Sequence, residues 1–210
     1  MVGTTSPFNL PTSLWQSGTG KAYLLFEGVG EGAGDLVLVL RQSGQIIGIS
    51  TPVRMELMPI AKMYEHYTVG DTASIKWQNI PQKYIPLFRY ADYRSPHPDE
   101  SQDYILFVHG WRMQPWERSA FTETAFKRLY WQRYKGRFGF FSWPTEWTMP
   151  IALPIDFQNY DRSEQKAYWS AIGLRNLLLA LRGRYGYDKV RIFGYSMGTL
   201  VNREALRHDW

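Results

Sequence analysis

From residue 104 onward, apolar positions alternate between two textures. Tyr104 to Val108, Phe138 to Ser142 and Val190 to Phe193 are short apolar runs, separated by longer stretches in which apolar residues recur every three or four positions. The spacing of Phe121, Ala125 and Leu129 predicts a helix over Pro115 to Tyr134, and Ala167, Ala171, Leu174, Leu178 and Leu181 predict another over Ser163 to Arg182. Continuous apolar strands alternating with helices are buried on both faces, so the fold class expected here is α/β, a parallel sheet with crossover helices. Asp161 with Glu164 three residues later has the form of a capping box, with Asp in place of Ser or Thr, and Gly183 stands near the far end of that helix.

The first third reads differently. Ala22 to Phe26, Leu36 to Leu40, Ile46 to Ile49 and Val53 to Met58 are apolar or alternating runs, with Ser43-Gly44 placed for a tight hairpin, which predicts a small β-rich, sandwich-like region. Ile60, Met63, Tyr64 and Tyr67 have the spacing of two helical turns across Pro59 to Tyr67, ended by Gly70-Asp71. Candidate strands around Ser74 to Trp77 and Ile85 to Tyr90 then open the next domain, ahead of the proline-punctuated loop Arg94 to Ser101. The expected division is a β-rich region over 1–68 and an α/β domain over 69–210. His66 has no second ligand three or four residues away and reads as a surface or packing residue.

Composition narrows the classes. The chain of 210 residues is 44% hydrophobic and contains no cysteine, so no disulfide or cysteine-based metal site can form. There is no basic-then-apolar leader and no run of about 18 apolar residues, so neither a secretory signal nor a transmembrane segment is expected. A cytoplasmic location follows if Met1 is the native start. The net charge of +5 is unevenly spread: residues 1–103 carry 8 basic and 10 acidic groups, residues 104–210 carry 16 and 9. Because the excess falls on helix faces and ends, at Lys127, Arg128, Arg182 and Arg184 among others, and no groove-reading motif accompanies it, no nucleic-acid partner is expected. No cofactor or metal is expected either.

The chemistry concentrates in Gly194-Tyr195-Ser196-Met197-Gly198, which follows an apolar strand and opens a helix. In G-x-S-x-G the serine sits on a sharp strand-to-helix turn, and the flanking glycines are needed where a Cβ would collide with neighbouring backbone. That geometry exposes the Ser196 hydroxyl as a nucleophile and aims the Met197 N–H at a developing oxyanion. A second donor is expected from the loop after an earlier strand, where Val108-His109-Gly110-Trp111 offers the Trp111 N–H with Gly110 permitting close approach. His109 reads as a brace for that loop rather than as the base.

In this order of strand, His-Gly loop, helix, strand, helix, strand and elbow, residues 103–210 resemble the α/β-hydrolase superfamily. Phe140-Phe141-Ser142-Trp143-Pro144, Asn159-Tyr160-Asp161 and Trp169-Ser170 resemble an uncharacterised bacterial group of esterase- or lipase-like hydrolases. The resemblance implies a serine hydrolase acting on small or lipid-like carboxylic esters through an acyl-enzyme.

The triad order of that family is serine, acid, histidine, and here only fourteen residues follow Ser196. His208 lies about 18 Å along the helix from the serine at 1.5 Å per residue, so neither it nor Asp209 fills the vacancy. Asp188 precedes the third strand, at the wrong end of the sheet. The chain is therefore expected to be the amino-terminal portion of a longer hydrolase, inactive alone, with a carboxy-terminal half that completes the sheet and supplies acid and histidine. The competing expectation is a non-catalytic β-domain binding or anchoring protein with a degenerate hydrolase half. Pro144 to Tyr160, too apolar for an ordinary loop and too broken by proline for a helix, is expected either to cover the site and contact substrate through Trp147 and Phe157 or to pack onto the β-rich region.

Overall fold

Tyr104 to Val108 is apolar throughout because it is covered on both faces. In the computed structural model, which describes residues 8–11, 30–70, 87–90, 93–145 and 156–207, the chain divides into two compact units, Met1–Pro59 and Ile60–Trp210. The sheet of the second unit contains β5 (Glu65–Val69), β6 (Leu87–Tyr90), β7 (Tyr104–Val108), β8 (Arg137–Ser142) and β9 (Val190–Gly194) in the order β6-β5-β8-β7-β9. β6 is antiparallel to β5, and β5, β8, β7 and β9 run parallel.

Among the described residues three helices flank the sheet: α1 (Pro115–Trp131), α2 (Asp156–Tyr185) and α3 (Gly198–Leu206). Tyr104, Leu106 and Val108 of β7 enter a core with Ala167, Ala171 and Leu174 of α2 and Val201 of α3. Phe107 instead joins Phe126 of α1 and Phe138 and Phe140 of β8, so the two sides of one strand feed two separate cores. Gln114 caps α1: its backbone N–H donates to the Glu117 carboxylate at 2.7 Å, and Pro115 at the first helical position forgoes an N–H that would have no partner.

The sequence pattern misplaced three details. Pro59 to Tyr67 is not a helix: a 3-10 turn at Ile60–Lys62 leads directly into β5, which moves the expected boundary at residue 68 back to Pro59. α1 points Thr122 and Phe126 inward, while Phe121 is exposed. α2 begins at Asp156, so Asp161 is an exposed interior residue rather than a cap, and the end of the proline-broken segment is helical from Asp156 onward.

Among the described residues of the first unit, β1 (Gly32–Leu36), β2 (Val39–Gln42), β3 (Gln45–Ile49) and β4 (Val53–Leu57) pair as β1 with β4 and β2 with β3. The two ladders continue one another through the Ser50 N–H to Leu38 O bond, making one long hairpin. At its tip, Ser43 and Gly44 both have positive φ, as the tight turn between the strands requires. The candidate strands at 22–26 and 74–77 lie outside the described residues.

Candidate active site

The turn from β9 into α3 is built by exclusion. Ser196 has φ +51°, a left-handed conformation a serine rarely adopts, and it is exposed. A Cβ on Gly198 would stand 2.5 Å from both the Val108 and His109 carbonyl oxygens, and one on Gly194 would strike the Asn202 side chain and the Gly198 backbone. Gly110 closes the other side: a Cβ there would lie 2.9 Å from the Tyr195 ring and 3.0 Å from Ser196 Cβ. The loop after β7 therefore presses directly against the Gly194–Gly198 turn, which the Tyr195 N–H to Val108 O bond ties to β7 at 2.9 Å.

Gly198→Ala forces α3 away from two backbone carbonyls and should cost about 1–3 kcal/mol in urea unfolding. Gly183→Ala, with nothing within 4 Å of the new methyl, should be neutral or stabilising. Equal effects at both positions would contradict this packing.

Asn202, buried in α3, joins the two elbow glycines, its oxygen 3.0 Å from the Gly194 N–H and its nitrogen 3.2 Å from the Gly198 carbonyl. His109 is fully buried and both ring nitrogens are occupied: Nδ1–H donates to the Gly110 carbonyl at 2.8 Å, and Nε2 accepts the Trp143 backbone N–H at 3.1 Å. Trp143 stacks on the imidazole and donates its indole N–H to the His109 carbonyl at 2.7 Å. Burial, with the nearby Arg118 charge, lowers the His109 pKa to about 3, so the ring is neutral at pH 7 and fixes the loop carrying Gly110 and Trp111.

The open side is a cleft of about 340 Å³ lined by Ser196, Met197, the first turn of α3, Trp111, Tyr160 and Glu164. Trp111 is pinned by its indole N–H, which donates to Ser163 Oγ at 2.9 Å, and Tyr160 meets it edge to face at 5.1 Å. Among the described residues, no group accepts a hydrogen bond from the Met197 or Trp111 backbone N–H, and none bonds the Ser196 hydroxyl.

The structure thus brings together Ser196, Met197, Trp111, His109, Gly110, Gly194, Tyr195 and Gly198. Trp147 lies outside the described residues, as do His208, Asp209 and the Phe157 side chain, although the Phe157 backbone is in the first turn of α2. Asp188 sits in the 3-10 turn leading into the start of β9. Sequence reasoning missed Asn202, Tyr160 and the position of Glu164. Tyr160 and Glu164, four residues apart, carried a signal as one helix face, hidden by the late start given to α2.

Among the described residues no cluster of histidine and acidic side chains could hold a metal, and no helix is long and apolar enough to cross a membrane. No curated protein and no solved structure matches the chain. A family model described as an alpha/beta hydrolase of unknown function (DUF900) does match, over residues 95–208. That span is more than half of the chain and includes β7, α2, β9 and α3, every element that carries the cleft, so the protein belongs to this α/β-hydrolase family.

Proposed function

We propose that the protein is a serine hydrolase of carboxylic esters, acting through an acyl-enzyme on Ser196. The observation that carries this reading is the exposed Ser196 at φ +51°, held between two glycines that admit no side chain, at the lip of a cleft. Left-handed backbone at a non-glycine residue costs of order 1–3 kcal/mol, and a turn that retains it over-determines where one hydroxyl points.

In the proposed reaction, Ser196 Oγ attacks the ester carbonyl while its proton passes to a base supplied from outside the described residues. The carbonyl oxygen becomes an oxyanion facing the unengaged N–H groups of Met197 and Trp111. Collapse breaks the bond to the alcohol, which leaves with the proton from the base, and water then releases the acid by the same steps. His109, neutral and bonded at both nitrogens, is not that base. Acyl-chain contacts are assigned to Trp147 and Phe157, and thioesters or amides remain chemically compatible substrates.

A fluorophosphonate tests the assignment directly. The complete gene product should take up one equivalent, at Ser196, and Ser196→Ala should take up none. A folded protein that resists the probe, or labels elsewhere, would end the proposal.

A further inference from the structure

The cleft beside Ser196 has an electrostatic character that ester hydrolysis does not require. Of the described side chains lining it, Glu164 is the charged one, and no described residue gives it a hydrogen bond or an ion pair. Its place follows from the length of α2: with the helix starting at Asp156, Glu164 is an interior position on the same face as Tyr160, one turn away. Ser163, between them, is fully buried and holds the Trp111 indole N–H, so the aromatic wall opposite is fixed by the same helix.

The result is a corner of two rings at an interplanar angle of 82° with a half-buried carboxylate beside it, opening on the nucleophile. Aromatic faces attract cations through the ring quadrupole, and a single-sign cleft walled by low-dielectric groups concentrates counter-ions. An anionic substrate, or a neutral one without a hydrogen-bond donor, would gain nothing from Glu164, and a neutral donor would use the carboxylate but not the rings, whereas an alkylammonium group would meet both. The excess of basic residues elsewhere in this half of the chain makes an unneutralised acid here a local feature rather than a reflection of overall charge.

We propose that Glu164, with Trp111 and Tyr160, selects esters that carry an alkylammonium group. The proposal rests on the serine-hydrolase reading of the same cleft, and adds the substrate class to it. Glu164 acts in recognition; the bonds made and broken are those already described at Ser196.

Binding and turnover separate the two ideas. Choline and its uncharged carbon isostere, 3,3-dimethylbutan-1-ol, should be titrated into the complete gene product by NMR, and acetylcholine compared with 3,3-dimethylbutyl acetate in turnover. Choline is expected to bind about 10-fold more tightly than the isostere, with a similar ratio in kcat/KM for the esters. Glu164→Gln should reduce both ratios to about threefold or less, the remainder coming from the rings, and Glu164→Asp should retain more of the preference. Equal binding of choline and isostere, or a preference undiminished by Glu164→Gln, would overturn the proposal. If Ser196-dependent hydrolysis is present without cation preference, this inference fails alone. If the Glu164-dependent choline preference is present but Ser196 reacts with nothing, the cation site stands and the hydrolase reading fails.

Discussion

Ser196→Ala should lower kcat for p-nitrophenyl acetate in the complete gene product by about 10⁴ to 10⁶ while changing KM little. The split follows from position. The hydroxyl is exposed and no described residue bonds it, so its removal breaks no hydrogen bond among the described residues. In the proposed reaction its contribution comes when a C–O bond forms, so its removal falls on kcat. The residue of activity should come from the two backbone donors, which alanine leaves in place because the turn is held by Gly194, Gly198, Gly110 and Asn202 rather than by the serine side chain. Steady-state kinetics with an unchanged urea midpoint is the measurement. A variant that keeps a tenth or more of wild-type kcat would remove Ser196 from the chemistry and return attention to a non-catalytic hydrolase half.

The elbow was legible because its information is local. Five consecutive residues specify the turn, and the excluding groups, the Val108 and His109 carbonyls, lie in a motif that could itself be read as a strand end followed by His-Gly. β5 was not legible, because its alternation is disguised by a buried acid. Glu65 is fully buried, accepting hydrogen bonds from Tyr67 at 2.8 Å and Tyr104 at 2.7 Å and facing Arg137, which lies 72 residues away. A sequence window sees that glutamate as solvent-facing and falls back on the helical spacing of Ile60, Met63, Tyr64 and Tyr67.

The cleft failed to appear for a related reason. Asp161 has the chemistry of a cap, but the helix starts a turn and a half further back, and only then does Tyr160 share a helix face with Ser163 and Glu164. Phe121 illustrates the reverse. Its spacing with Ala125 and Leu129 put it on the apolar stripe of the helix, but it is exposed and rests against Tyr195, beside the elbow.

Acid should destabilise the fold through His109, and the sign can be worked out from its pKa. The folded-state value of about 3 lies below the ordinary value of 6.5, mainly because burial disfavours the charged ring. Below pH 6.5 the unfolded chain therefore binds a proton that the folded chain refuses, and stability falls as pH drops until the folded value is reached. The full interval corresponds to about 5 kcal/mol, or about 1.4 kcal/mol for each pH unit in its steep part. His66, lowered mainly by its own burial, adds to the slope in the same direction. Urea unfolding between pH 7 and pH 4 should show this decline, and His109→Asn should be less stable at pH 7 but flatter with pH. In the folded protein the ring stays neutral down to about pH 3, so the Trp143 N–H to Nε2 bond persists, and molecules that remain folded between pH 7 and pH 4 should keep the loop that carries Gly110 and Trp111 in place. A pH slope identical in wild type and His109→Asn would show that the acid sensitivity arises elsewhere, and that the imidazole is not the group holding this loop in its neutral form.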